Sequence, residues 1–510
     1  MNKQIKWGIL LQYVQMALGI IIKLLYVPIM TRILGQNEYG LYNLASSIIG
    51  YLSLLSLGFG VGYIHFYSRY KKNNDEEGLK KLNGLYLIVF SIMGLVSLIL
   101  GLVLSFNTSW FFNSSYSANE MHIAKVLMLF LTVNLAISFP VSVFTSYITS
   151  QEKFIFQKLL NIGKTVLSPA LSIVLLFLGY GSIGMVFVTT VLSVIVDAIN
   201  IFYCFKKLKM GFSFGKIDKP LLKEIAIFSV FIAINQIIDQ LNWETDKVVL
   251  GKFVNGSAVA VYAVASTINN MYISFPAAIS GVFAPKVNRI VVENSPDTNT
   301  KLTDLMIKVG RIQFFVVSLI LTGFIFFGYY FISIWAGPEY ISAYYAALLL
   351  IAPATISLTQ SIGIEIRRAK NKHKLISLIM LITAILNVLI SIPLGINFGV
   401  IGVAIGTAIS LVINTVIINI FYKKSLKLEM GRFWLNILKI LPSMIIPVAT
   451  GIILNLLFPI NSFIMFAIQV VAYTIIYCIS ISLFGLNQEE KGYIKQNFLK
   501  IKKKEEEKSE

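Results

Sequence analysis

Apolar residues arrive along this chain in runs of about 20, the length a helix needs to cross ~30 Å of hydrocarbon, separated by short polar or basic stretches. The first half gives Gly8–Met30, Leu41–Ile64, Leu82–Phe106, Ile123–Thr149, Leu159–Leu178 and Met185–Phe205. The second half gives Ile225–Trp243, Ala258–Val282, Ile312–Ile334, Tyr344–Ile364, Leu375–Ile396 and Ile401–Tyr422. Leu435–Leu457 and Phe463–Phe484 follow, for fourteen predicted spans.

One run departs from the pattern. Where the seventh span should be uniformly apolar, the chain reads NQIIDQLNWETDK over 235–247. Asn235, Asp239, Asn242 and Asp246 recur at helical spacing and stack on one face. Gln236, Gln240 and Lys247 widen that face, opposite Ile234, Ile237, Ile238 and Leu241. Lipid rejects such a stripe, so it faces protein or a watery cavity. It is either satisfied by neighbouring helices in a bundle or forms one wall of a substrate pathway.

Composition agrees with the spans. The chain is 56% hydrophobic and 13% charged, against roughly 25% charged in soluble domains. Cys204 and Cys478 have no spacing partner, and His65, His122 and His373 are scattered, so neither disulfide nor metal site is expected. A net charge of +19 suggests nucleic acid until it is mapped. With the N-terminus inside, only Arg32, Lys125, Lys247 and Lys252 of the 43 Lys and Arg fall outside, and Lys23 lies within the first span. That asymmetry is the positive-inside rule, with some attraction to anionic lipid, so no nucleic-acid partner is expected. Lys3 and Lys6 precede a first helix that reads as uncleaved. No inter-span loop has room for a catalytic domain, and no Gly-Lys-Ser/Thr nucleotide loop appears, so neither an enzyme nor a resident ATPase is expected.

The chain also repeats itself. Gly179-Tyr-Gly-Ser-Ile-Gly184 opens the sixth span and Asn397-Phe-Gly-Val-Ile-Gly402 the twelfth, 218 positions on. Ile33-Leu34-Gly35 matches Val249-Leu250-Gly251, Tyr42 matches Tyr262, and Pro140 has a rough counterpart in Pro353. An even number of spans per half makes these parallel repeats, which place a substrate site between the halves near mid-membrane. The expected fold is an all-α polytopic membrane protein of about 14 transmembrane helices with both termini cytoplasmic. Two parallel pseudo-symmetric six-helix bundles fill residues 1–222 and 223–424, followed by a two-helix unit over 425–485 and a charged cytoplasmic tail over 486–510. The repeat register also sets Lys23 against Asp239 at similar depth. Because each lone charge costs at least ~2.5 kcal/mol there, mutual pairing is expected, either as a structural bridge or as a gate that exchanges Asp239 for an anionic substrate.

Several motifs carry a family resemblance. Thr31-Arg32-Ile-Leu-Gly35-Gln-Asn-Glu-Tyr39-Gly40-Leu-Tyr42 is close to an Arg-x-Leu-Gly-x-x-x-Tyr-Gly pattern. Leu57-Gly58-Phe-Gly60 with Arg69, Asp246-Lys-Val-Val-Leu250-Gly251 with Tyr262 and Pro285, and Ile334-Trp335-Ala-Gly337-Pro-Glu-Tyr340 complete the set. The chain resembles the polysaccharide-repeat flippases of the multidrug/oligosaccharidyl-lipid/polysaccharide exporter superfamily. The resemblance implies flipping of an undecaprenyl-pyrophosphate-linked oligosaccharide to the outer leaflet of the bacterial cytoplasmic membrane, by alternating access of two bundles around a cationic cavity. It brings membrane lipids, glycan polymerases and glycosyltransferases as partners. It makes Lys23 the pyrophosphate contact and gives Arg32, Asp246, Gly251 and Tyr262 mainly structural roles. At His65 many relatives carry Arg, which makes phosphate contact weaker and pH-dependent here.

The substrate cavity is accordingly expected to hold Lys23, Arg32, His65, Asn235, Gln236, Asp239, Gln240, Asn242, Asp246, Asn269 and Asn270, with Tyr262, Tyr272 and Trp243 as rings for sugar stacking and Asp239 as the coupling residue. Coupling to H+, Na+ or the membrane potential all fit. The last two spans keep a lipid II flippase in view, and Asp239 with Asp197 keeps a multidrug and toxic compound extrusion (MATE) antiporter in view. A membrane glycan polymerase fits least, for want of a large outer loop.

Overall fold

The computed structural model describes residues 3–215 and 219–492, which are helical with no strand among them. The tail expected over 486–510 lies outside the described residues from 493 onward. The helices are α1 (Lys3–Gly50), α2 (Phe59–Lys72), α3 (Glu76–Phe106), α4 (Ala118–Ser150), α5 (Phe154–Phe177), α6 (Gly181–Lys206), α7 (Lys219–Trp243) and α8 (Thr245–Phe253). They continue with α9 (Gly256–Glu293), α10 (Thr298–Trp335), α11 (Ser342–Thr359), α12 (Ile362–Ala369), α13 (His373–Lys424), α14 (Met430–Leu438), α15 (Ile445–Leu457) and α16 (Phe463–Ser480). Among the described residues, twelve helical stretches are long and apolar enough to cross a membrane. Two of these, Leu10–Lys72 and Ile376–Lys424, run to 63 and 49 residues. At 1.5 Å per residue they would extend roughly 95 and 75 Å, far beyond one bilayer.

Each long stretch is broken at a glycine. Gly35 has φ 68° and Gly399 has φ 55°, values L-residues with a side chain avoid. Gly181 has φ 56°. Gly181 and Gly399 are partners in the 218-residue repeat, so the repeat preserves a backbone conformation as well as letters. Gly184 and Gly402 continue the correspondence: a Cβ would come within 2.7 Å of Tyr180 Cβ at the first and 1.9 Å of Leu394 O at the second. Gly35 and Gly251 share a register for different reasons. Gly35 is needed for its φ, whereas a Cβ on Gly251 would strike Leu44.

The contacts divide the chain into two compact units, the first drawing on both halves of the sequence and the second on the second half alone. The first comprises residues 1–268, 333–350 and 374–414. One end is knit by Glu38, whose carboxylate accepts from the backbone N–H and the hydroxyl of Ser182 at the start of α6. There too Arg32 donates to Ile334 O, Gln36 to Glu339 O and Trp335 to Leu24 O. The Arg32–Tyr42 motif is therefore a joint between helix ends. The other end holds an aromatic cluster of Phe59, Tyr63, Phe66, Tyr67, Tyr86 and Phe90. There Tyr63 donates to Asn83, Asn83 to Gly211 O, and Arg69 reaches both carboxylate oxygens of Glu224. Apart from the bond to Leu24, which lies within the first predicted span, each joins segments at ends of spans that the predicted alternation places on one side of the membrane.

The second unit comprises residues 269–332, 351–373 and 415–510. Its buried Arg311 binds the Glu490 carboxylate at 2.7 and 2.8 Å and donates to Asn436 O and Gly485 O. Tyr477 of α16 donates to Phe315 O of α10, and Gly451 of α15 leaves room for the Phe326 ring. The last two spans are thus packed on α10.

Candidate functional site

The polar stripe survives in α7 and divides between two neighbours. Asn235 Oδ1 accepts from Ser377 Oγ of α13 at 3.1 Å. Two turns on, Asn242 lines a cavity of about 20 Å³ together with Asn387, Thr407, Ser410 and Asn414. Beyond the end of α7, between two membrane-crossing stretches, Asp246 is 1% exposed. It accepts hydrogen bonds from Thr407 Oγ1 at 2.7 Å and from the Tyr262 hydroxyl. Thr407 and Ser391 also reach Asn387 Oδ1, at 3.2 and 3.1 Å. Among the described residues, Asp246 Oδ1, Ser410 Oγ and Asn414 Oδ1 have no hydrogen-bond partner. Burial pushes the Asp246 carboxyl up to about 6, against the pull of hydrogen bonds from Tyr262, Thr407 and Ser391 and of the Lys247 charge.

The other flank faces α1 and the short 3-10 helix after it. Ser56 Oγ donates to Gln236 Oε1 at 3.3 Å. Gln240 Nε2 lies 3.2 Å from where a Cβ on Gly50 would stand and has no hydrogen-bond partner among the described residues. Glu244 accepts from Ser47 and from Lys247. Asp239 sits between the two flanks, exposed, with no hydrogen bond or ion pair among the described residues.

The expected Lys23–Asp239 ion pair is not formed. Lys23 is exposed on α1 and, among the described residues, has no ion-pair partner. A repeat register sets depth along each helix but leaves open which way the helix is turned. His65 is exposed and stacks on Phe228 of α7, ring centroids 4.7 Å apart. Asn269 is buried and Asn270 exposed, both in the second unit. Neither Tyr262 nor Tyr272 is open for sugar stacking. Both are 2% exposed, one bonded to Asp246 and the other to Val317 O and Thr355. Each ring packs where its hydroxyl satisfies a buried polar group. Trp243 lines the small cavity beside Asn242.

A second polar site escaped the sequence reading. Within the first unit, α1, α4, α5 and α6 line an open cavity of about 290 Å³ bounded by Ser46, Asn134, Ser138, Lys164, Ser193 and Asp197, with apolar side chains between them. Lys164, counted above with the basic inner loops, lies about 15 Å along α5 from Phe154, and Asp197 about 14 Å from the end of α6 at Lys206. Lys164 Nζ donates to Ser193 Oγ at 2.8 Å. The legible signal was opposite charges on consecutive spans at matched depth. The positive-inside tally hid it by absorbing Lys164 into a loop.

A model of the family described as polysaccharide biosynthesis protein matches residues 5–291. No curated protein sequence matches. Among solved structures, the chain is similar to the lipid II flippase MurJ in an inward closed conformation, with a TM-score of 0.73 and 17% sequence identity over 94% of this chain and 98% of that one. It is also similar to an inward-facing multidrug resistance MATE family transporter of the MOP superfamily, with a TM-score of 0.56 and 17% identity over 79% of this chain and 92% of that one. At such identity the likeness is one of fold.

Proposed function

Because the chain belongs to the polysaccharide biosynthesis protein family, we propose that it flips a lipid-linked oligosaccharide, carried on undecaprenyl pyrophosphate, from the inner to the outer leaflet of a bacterial cytoplasmic membrane. The observation that carries this reading is α7, a helix of membrane-crossing length with amides and a carboxylate along it, of which Asp239 is exposed. Moving a glycan and two phosphates through hydrocarbon unaided strips hydrogen bonds at several kcal/mol each, and a polar helix surface replaces them. Splitting the two overlong stretches at Gly35 and Gly399 gives fourteen crossings. The similarity to the MATE transporter leaves about a fifth of the chain uncovered, whereas that to the flippase covers 94% of it. A drug and cation antiporter shares the fold and is the alternative reading. Lipid II is the second substrate to test, since a flippase of lipid II shares the fold.

We place ion coupling at Asp246, a buried carboxylate whose donor Thr407 also reaches Asn387 Oδ1 and lines space for a water or small cation. Hard oxygen atoms of this kind suit Na+, with H+ as competitor at the same carboxylate. Asp239, exposed and without an ion pair, is the candidate for substrate-linked charge exchange with Lys23.

The test is a reconstituted flipping assay with undecaprenyl-pyrophosphate oligosaccharide. Lys23→Ala is expected to slow flipping at least tenfold without loss of folded protein, and the double change Lys23→Ala/Asp239→Asn not to restore it. Restoration in the double variant assigns the two residues to a gating bridge. An inactive parent that exchanges drugs for cations overturns the flippase reading.

A further inference from the structure

The Lys164–Asp197 cavity has unmet hydrogen-bonding capacity of a particular kind. Among the described residues, Lys164 donates to one acceptor, Ser193 Oγ, with its three N–H groups. Asp197, half-buried on α6, has neither a hydrogen bond nor an ion pair within 4.0 Å among the described residues. Asn134 adds an amide with one donor face and one acceptor face, and Ser46 and Ser138 add hydroxyls. Among the described residues, Lys164 and Asp197 are the only ionisable ones lining the cavity. The facing segments contribute none, since α1 presents Ser46, Ile49 and Gly50 and α4 presents Leu131, Asn134, Leu135 and Ser138.

This inventory selects against a simple ion. A cation attracted by Asp197 meets the Lys164 ammonium, and an anion attracted by Lys164 meets the Asp197 carboxylate. A sugar hydroxyl meets neither objection, because it donates to the carboxylate while accepting from the ammonium or the amide. The volume of about 290 Å³ accommodates one hexose ring, and Ile49, Leu131 and Leu135 offer its C–H face an apolar surface. Gly50 lines this cavity and also abuts Gln240 Nε2 of α7, so the cavity adjoins the polar stripe. We propose that it is a subsite for a single uncharged sugar ring, with Lys164, Asp197 and Asn134 as the residues that read its hydroxyls. The proposal rests on the saccharide-flippase reading for its biological ligand, and its test does not require transport.

The experiment is cysteine alkylation of the full chain in detergent, with Leu131→Cys as reporter in a Cys478→Ser background. The native Cys204 is buried. Alkylation of Leu131→Cys by a small neutral maleimide is expected to slow at least threefold in millimolar N-acetylglucosamine or methyl glucoside. Galacturonate is expected to protect less than half as well. Lys164→Gln or Asp197→Asn, added to the reporter, is expected to abolish protection while the cysteine still reacts. A reporter that reacts but is indifferent to sugar overturns the subsite, and so does stronger protection by the anionic sugar. A reporter that never reacts also overturns it, because the cavity is then closed to solutes. If Asp197→Asn keeps sugar protection but removes the response of flipping to a proton gradient, the pair belongs to coupling and the proposal fails. Flipping by the unmodified parent, measured alongside, separates failure of the subsite from failure of the transport reading.

Discussion

Asp246 shows how one buried carboxylate organises its surroundings. Two hydroxyls, from Tyr262 and Thr407, point at it from different segments of the first unit. Asp246→Ala leaves the Tyr262 hydroxyl buried and unpaired and Thr407 with Asn387 alone, so a loss of about 1–3 kcal/mol in detergent stability is expected. Asp246→Asn retains an acceptor and is expected to lose about 1 kcal/mol, both measured as shifts in thermal midpoint. The carboxyl titrates near 6 when folded, above its ordinary value of 3.8. A raised acid favours the folded state below about pH 4, and that advantage is lost as pH rises through about 6. A cation bound to the charged form offsets the loss. Replacing KCl by NaCl is therefore expected to raise the melting temperature by a few degrees at pH 8 and not at pH 5, and to do nothing in Asp246→Asn. A sodium effect equal at both pH values, or one that persists in the Asn variant, removes Asp246 as the coupling site. Lys164 and Asp197 were equally visible as letters, but their shared cavity depends on three-dimensional neighbours in α1 and α4.

Among the elements, the breaks matter as much as the helices. Gly35 and Gly399 occupy left-handed backbone with nothing near the missing Cβ, so conformation alone requires glycine there. Alanine at either position is expected to cost about 1–2 kcal/mol. Gly19 lies in the helical part of α1 with open space around it, and Gly19→Ala is expected to be neutral or to gain up to ~1 kcal/mol. Equal effects at all three sites, read by thermal unfolding, would show that the breaks are not what demands glycine. The last spans are fixed differently. Glu490 pairs with an Arg311 side chain that is 4% exposed, and removing one partner of such a pair costs about 3–5 kcal/mol. Glu490→Ala is expected to destabilise the second unit strongly and open the chain after Gly485 to limited proteolysis. Glu77→Ala, which breaks an exposed pair with Lys81, is expected to change little.

At the scale of the whole molecule, the prediction is topological. Fourteen crossings with both ends inside require Ser115→Cys and Asn461→Cys to react with an impermeant maleimide from outside, and Lys72→Cys and Lys424→Cys only after permeabilisation. One missing crossing between Lys72 and Asn461 would reverse the later sites. While α9 and α10 run past the expected spans, to Glu293 and from Thr298, the sequence by itself determined the helical membrane class and the repeat that relates Gly181 to Gly399. These follow from hydropathy, charge asymmetry and backbone sterics, all local or periodic along the chain. It also located the polar stripe of α7, because 3.6-residue periodicity fixes a face. The tertiary structure decided what that face meets: Asn235, Asn242 and Asp246 turn to α13, while Gln236 and Gln240 turn to α1. It left Lys23 and Asp239 apart, buried Tyr262 and Tyr272 as packing groups, and drew Lys164 and Asp197 into one cavity. Such pairings depend on how each helix is rotated about its axis. That rotation is fixed by packing against many neighbours at once, and no single stretch of sequence records it.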